Sequence, residues 1–223
     1  MASYPVRPKT IVDDTKFKLS TDQLKGGKGR PTLSLYCANS PDPKFKKVSC
    51  NPRIDVYTNI PGAKDNGLIR AKFDVPTLFQ MFYWMEKLVT DANGTSYAID
   101  CETPGQDGKP YVESTIAFGK DATGRIFITI IDKKDDSSPK VRFYFTNSFY
   151  HKLRRSGGEA LTEGDISIAA ALGWVNMFKQ FFPLVAIQQY KAGESGQRGE
   201  YAGNRVTATA SSDSDSFEDD LNF

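Results

Sequence analysis

The chain has 223 residues, 39% of them hydrophobic and 12% aromatic. That is enough for a core in one or two domains, yet no apolar run approaches the roughly 20 residues a membrane span needs. Net charge is +2, but residues 191–223 hold three bases and seven acids, which leaves 26 bases against 20 acids in residues 1–190, a net of +6; a basic body with an acidic arm points to a polyanionic partner.

Cys37, Cys50 and Cys101 are odd in number and irregular in spacing, which fits neither a disulfide framework nor a zinc site. MASYPVRPKT has no apolar region of a secretory signal. The expected setting is a reducing cytoplasm, that of the host cell if the protein is viral, with no membrane partner.

Residues 1–30, rich in Pro, Lys and Gly and ending in KGGKGR, are expected to form a flexible basic arm. Residues 31–190 are expected to be a single domain. Residues 33–37 (LSLYC) alternate as a strand. The loop after them carries Lys44, Lys46 and Lys47. RIDVY (53–57), the turn NIPGAKDNG and IRAKF (69–73) read as a hairpin. Asp74 is a good helix cap and Pro76 is tolerated in the first turn. The helix that follows has two apolar stripes, Leu78/Phe82/Met85/Val89 and Met81/Trp84/Leu88, so it should be packed on two sides. Strands are expected at 96–101 and 111–119. RIFITII (125–131), a polar turn and VRFYF (141–145) form another hairpin, followed by a short helix from Thr146 or Asn147 to about 155. Thr162 opens a third helix with a capping-box pattern, which Pro183 should kink or break.

The stretches 53–87 and 125–155 share one plan. Arg53/Arg125, Ile54/Ile126, Arg70/Arg142 and Phe73/Phe145 match at an ungapped offset of 72 residues, as in an internal duplication. The fold class this implies is α+β: two repeated antiparallel strand–strand–helix units plus a C-terminal helix. The alternative is an OB-fold barrel with inserted helices.

Enzyme signatures are sparse. His151 is the sole histidine and sits among Lys and Arg, as a solvated surface residue would. No phosphate loop of the GxxxxGK[ST] form is present. Neither a catalytic residue nor a metal ligand nor a cofactor is assigned, and the chain is expected not to be an enzyme. A metal-dependent nuclease acting on single strands stays as an alternative, since scattered carboxylates can converge in space.

The face opposite the core is more informative. Alternation places Tyr36, Arg53, Tyr57, Arg70 and Lys72 on it in the first half, and Arg125, Phe127, Arg142 and Tyr144 in the second. Cations that track phosphates and rings that stack on unpaired bases suit a single-stranded nucleic acid. A solvated sheet face also carries Lys, Arg and Tyr, but Phe127 should be exposed there without a core reason. Residues 191–223 read as a disordered linker, rich in Gly, Ser, Thr and Ala, and an acidic tail. Asp213, Asp215, Phe217, Glu218, Asp219, Asp220 and Phe223 give that tail five acids interspersed with rings. A carboxylate beside a terminal Phe suits capture in a basic-rimmed apolar pocket.

With the basic, aromatic body, the Gly/Ser/Thr-rich linker and FEDDLNF ending in Phe223, the chain resembles bacteriophage single-stranded DNA-binding proteins of replication. The resemblance implies sequence-independent coating and protection of single-stranded DNA, with the tail recruiting replication and recombination proteins. No Pro precedes Phe223, a departure from the bacterial tail. The strand and helix order over 33–155 is similar to the Whirly, Pur-alpha and transcriptional positive-cofactor group, which bind single strands on curved sheets. An RNA-binding or transcription regulator on that fold is a further alternative, and a homodimer through the apolar helix 163–190 is compatible with either.

Overall fold

The computed structural model describes residues 18–37, 48–105, 108–134, 140–147, 151–157 and 159–191. The protein is α+β. Strands β1 (Leu19–Ser20), β2 (Thr32–Tyr36), β3 (Arg53–Tyr57) and β4 (Leu68–Lys72) form one antiparallel sheet in chain order, followed by helix α1 (Val75–Lys87). Strands β5 (Ser96–Pro104), β6 (Pro110–Lys120), β7 (Ile126–Asp132) and β8 (Val141–Tyr144) form a second, followed by helix α2 (Glu163–Gln189). Neither sheet closes on itself, and the described strands do not form the five-stranded barrel of the OB alternative. β4 packs against β6 and β7, β1 meets β8, and α1 lies on α2.

The strands follow period-two alternation. Leu33, Leu35, Ile54, Val56, Ile69 and Ala71 turn inward from the first sheet; Ile116, Phe118, Ile128, Ile130, Val141 and Phe143 do so from the second. The hairpin from β3 to β4 turns through Gly67 at φ +72°, where a Cβ would run into Thr58 Oγ1. α1 starts as its sequence dictates. Asp74 Oδ1 accepts the Thr77 amide at 2.8 Å, and hydrogen bonding from Thr77 holds the Asp74 carboxyl below its ordinary range. At its other end, the Lys120 ammonium, nearly buried, donates to the carbonyls of Val89 (3.2 Å) and Asp91 (3.1 Å). These carbonyls belong to the turn just past the helix C-terminus, where a cation also meets the dipole, so β6 is tied to the end of α1.

α2 begins with the expected box, in which Asp165 N donates to Thr162 Oγ1 and Thr162 N to Asp165 Oδ2. It joins the core through rings. Phe82 and Trp174 meet edge to face at 6.0 Å, Phe79 and Phe182 at 6.1 Å, and Phe145 meets Trp174 at 5.7 Å. Each such ring stabilises the fold by roughly 1.5–3 kcal/mol through area removed from water. Ser167 Oγ accepts the amide of Ile126 at 2.8 Å and donates to its carbonyl at 3.2 Å, which registers α2 on the first residue of β7. α2 is, among the described residues, the one helix long and apolar enough to cross a membrane, but Trp174, Val175, Phe178, Phe182 and Val185 are buried inside this core.

Several expectations change. Thr146, Asn147 and residues 151–155 are not helical. Leu153 is exposed, as are its described neighbours from 151 to 157, so among the described residues this stretch offers no buried face to support so short a helix. α2 runs through Pro183 without interruption; there the ring removes one donor while neighbouring bonds and packing persist. The basic arm does not extend to residue 30, because Leu19 and Ser20 pair with Leu33 and Thr32. Trp84 is exposed rather than buried and lies tilted on Tyr97 at 4.8 Å.

The ungapped offset also fails. Ile54 pairs with Ala71, but the Ile126 carbonyl accepts the amide of Phe145, the counterpart of Phe73 at that offset. The second hairpin is therefore shifted by two residues relative to the first. An even shift keeps every side chain on its face, which is why alternation still sorts the residues correctly.

Candidate functional site

The outward residues fall into cross-strand rows. In the first sheet Tyr36, Arg53 and Lys72 form one row; Ser34, Asp55 and Arg70 form the next; Thr32, Tyr57 and Leu68 form the third. In the second sheet the rows are Gly119, Phe127, Tyr144 and Ala117, Thr129, Arg142. All nine residues picked out by alternation thus lie on outward faces or, for Arg125, beside one.

Arginines lie on rings in both sheets. The Arg53 guanidinium carbon is 5.0 Å from the Tyr36 ring centre, Arg142 is 4.2 Å from Phe127, and Arg125 is 4.3 Å from Tyr144. Phe127 and Tyr144 meet edge to face at 6.2 Å. Directly across each hairpin, an arginine on the last strand is held by an oxygen on its neighbour. Arg70 Nε donates to Asp55 Oδ1 at 3.2 Å, and Arg142 Nε donates to Thr129 Oγ1 at 3.2 Å.

These contacts correct the expectation of open rings. Phe127 is only 7% exposed and Tyr36 only 7%, each lying beneath an arginine. Arg53 is itself nearly buried, 2.9 Å from the buried Asp55 carboxylate. Arg125 is held by Asp121 at 3.1 Å and by Glu163 at 3.4 Å. Partial burial pushes the Asp121 carboxyl up, but hydrogen bonds from Thr123 and from Arg125 outweigh it and hold the pKa down at about 2. The turn Asp121–Arg125 is therefore a clamp that aims Arg125 across Tyr144. Tyr57 keeps the most open ring of the set, at 40% exposure. Its hydroxyl titrates above its ordinary value, first because of burial and then because of Tyr36 and Asp55, against Arg70 and Arg53. The outward groups available to a ligand are thus Tyr57, Arg70, Lys72, Arg142 and Tyr144.

Energetics decide what these groups can do. A guanidinium on a ring contributes about 0.5–1 kcal/mol when exposed and about 2 when desolvated. A base stacked on the same ring contributes roughly 1–3 kcal/mol. Exchanging one for the other is close to neutral. The arrangement is better suited to presenting guanidinium edges to phosphates, with the rings fixing their planes.

Two clefts lie where the sheets meet, each about 370 Å³. At the contact of β4 with β6 and β7, the cations Arg70, Lys72 and Lys134 are matched by Asp65, Glu113 and Asp132. At the β1–β8 seam, Arg30, Arg125 and Asp22 line the cleft with Tyr144, Thr21 and Asn147, and Arg125 is already paired with Asp121 and Glu163. Arg30 escaped sequence reasoning because it was assigned to the arm, although it shares the parity of Thr32, Ser34 and Tyr36. Asp55 lies on the same face between Arg53 and Arg70, and that position in the two hairpin strands is the signal that marks it as their shared carboxylate.

Lys44, Lys46 and Lys47 lie outside the described residues, as do Asp213, Asp215, Phe217, Glu218, Asp219, Asp220 and Phe223. Compared with known protein families and with curated sequences, the chain matches no family model and no curated relative.

Proposed function

We propose that the chain binds single-stranded DNA without sequence preference, coating and protecting it in replication or recombination as a binding protein rather than an enzyme. The observation that carries this reading is Arg142 on the outward face of the second sheet, an exposed guanidinium laid over the Phe127 ring. Tyr57, Arg70, Lys72 and Tyr144 are the other outward groups open to a ligand. Planar cations braced by rings on a basic body suit a flexible polyanion with exposed bases. Four antiparallel strands followed by a helix occur twice in the chain order, which supports a duplicated body of the Whirly and Pur-alpha type as part of this proposal. The acidic, ring-bearing segment Asp213–Phe223 would engage replication and recombination proteins.

The test is fluorescence anisotropy with labelled single- and double-stranded oligonucleotides over a salt series. Tighter binding to the single strand is expected, falling as salt rises because neutralised phosphates release counterions. No binding to oligothymidylate at low salt, with residues 213–223 present or removed, would sink the reading. A requirement for the 2′-hydroxyl would transfer it to RNA.

A further inference from the structure

The two outward faces do not form one sheet. A bound strand that uses both must cross from one to the other, and among the described residues two clefts lie where the sheets meet. At the β4 contact with β6 and β7, three cations and three carboxylates line the cleft, so its charges cancel. Lys134 is also engaged there by Glu113. A phosphate entering would meet as many anions as cations.

The β1–β8 seam differs. Ser20 pairs with Thr32, and Arg30 has the same parity, so both belong to the outward face of the first sheet. Tyr144 pairs with Phe127 and belongs to the outward face of the second. The two outward faces therefore share this one cleft. Its volume of about 370 Å³ suits a nucleotide. Arg30 is 62% exposed and its one carboxylate partner among the described residues, Asp22, lies 3.9 Å away and fully in solvent, a pairing that contributes little. Arg125, held by Asp121 and Glu163, lies over the Tyr144 ring at 4.3 Å and supplies a wall rather than a free charge. Thr21 and Asn147 add neutral polar groups.

We propose that the β1–β8 seam is a nucleotide-sized subsite where a bound single strand crosses from the Arg142 face to the Arg70 face, with Arg30 neutralising a phosphate there. This rests on the single-strand-binding reading and adds a path and a residue to it.

The test uses the full chain and an oligothymidylate of about 16 nucleotides, the upper end of common site sizes. Binding is measured over a salt series for the wild type, Arg30→Ala and Lys134→Ala, and a photocrosslinker is attached at Ser20→Cys. Arg30→Ala is expected to weaken binding about three- to tenfold and to reduce the salt slope by about one. Lys134→Ala should stay within about twofold of the wild type, since it removes a cation from the charge-cancelled cleft. The Ser20 probe should crosslink to thymidine. An unchanged affinity and slope in Arg30→Ala would overturn the crossing, as would an equal loss in Lys134→Ala or a Ser20 probe that fails to crosslink in a chain that binds. A wild type that binds no oligothymidylate would instead remove the underlying reading, and the path with it.

Discussion

The Arg142 guanidinium lies 4.2 Å from the ring centre of Phe127 and closes that ring off from solvent. The same arginine donates to Thr129 at 3.2 Å and reaches the Tyr144 hydroxyl at 3.4 Å. Its plane is fixed by three neighbours, while the residue as a whole remains exposed. A ring that alternation marks as free for a base is, in the fold, the support of a cation.

Binding should therefore depend more on Arg142 than on Phe127. Arg142→Ala is expected to weaken oligothymidylate binding and to lower the salt slope by about one. Phe127→Leu should keep most of that slope and lose stability instead, by about 1 kcal/mol. Salt-series anisotropy and denaturant melts on the two variants separate these outcomes; a larger slope change in Phe127→Leu would reverse the assignment.

Asp55 and Thr129 hold equivalent places beside Arg70 and Arg142 but are not equivalent in consequence. Asp55→Ala leaves Arg53 as a nearly buried charge without its carboxylate, and should cost about 3 kcal/mol of stability. Thr129→Val removes a neutral acceptor and should cost about 1 kcal/mol. Urea unfolding of both variants measures the difference, and equal losses would mean that Arg53 finds other compensation.

Ser167 bonds both backbone groups of Ile126. Ser167→Ala should leave the Ile126 amide buried without its acceptor, at about 1–3 kcal/mol. Hydrogen exchange at the Ile126 amide should speed up in the variant. Unchanged exchange would show that the contact does not hold α2 to β7.

The Asp121 carboxyl is depressed from 3.8 to about 2 in the folded chain. Between these values the unfolded chain binds more protons, so stability falls as pH drops through that window and is fully present above it. Asp121→Asn should flatten the stability profile between about pH 4 and pH 2. It should also loosen Arg125 over Tyr144, visible as a change in tyrosine fluorescence. An unaltered acid profile would place the charge coupling elsewhere.

Period-two spacing, turn residues and caps are local properties, and the chain carries them openly. Leu33, Ile54, Val56, Ile128 and Val141, which alternate with the outward residues, are buried, and Asp74 and Thr162 cap their helices. After Phe145, Thr146 or Asn147 reads as a cap, but the described residues 151–157 are all exposed and offer no face to bury. Trp84 differs in the opposite sense: Met81 and Leu88 of its stripe are buried, while Trp84 stays exposed beside Tyr83 and Tyr97.

The sequence by itself determined which side of each strand a residue takes, because alternation needs no partner and survives the two-residue shift between the hairpins. It also determined the basic body and the acidic tail. Only the tertiary structure decided which outward groups are open. Arg53 is enclosed by Asp55 and Tyr36, Phe127 is covered by Arg142, and Arg30 is brought to Arg125 and Tyr144 at the seam. Exposure depends on neighbours that strand register and sheet packing bring together from distant parts of the chain, and no local period encodes it.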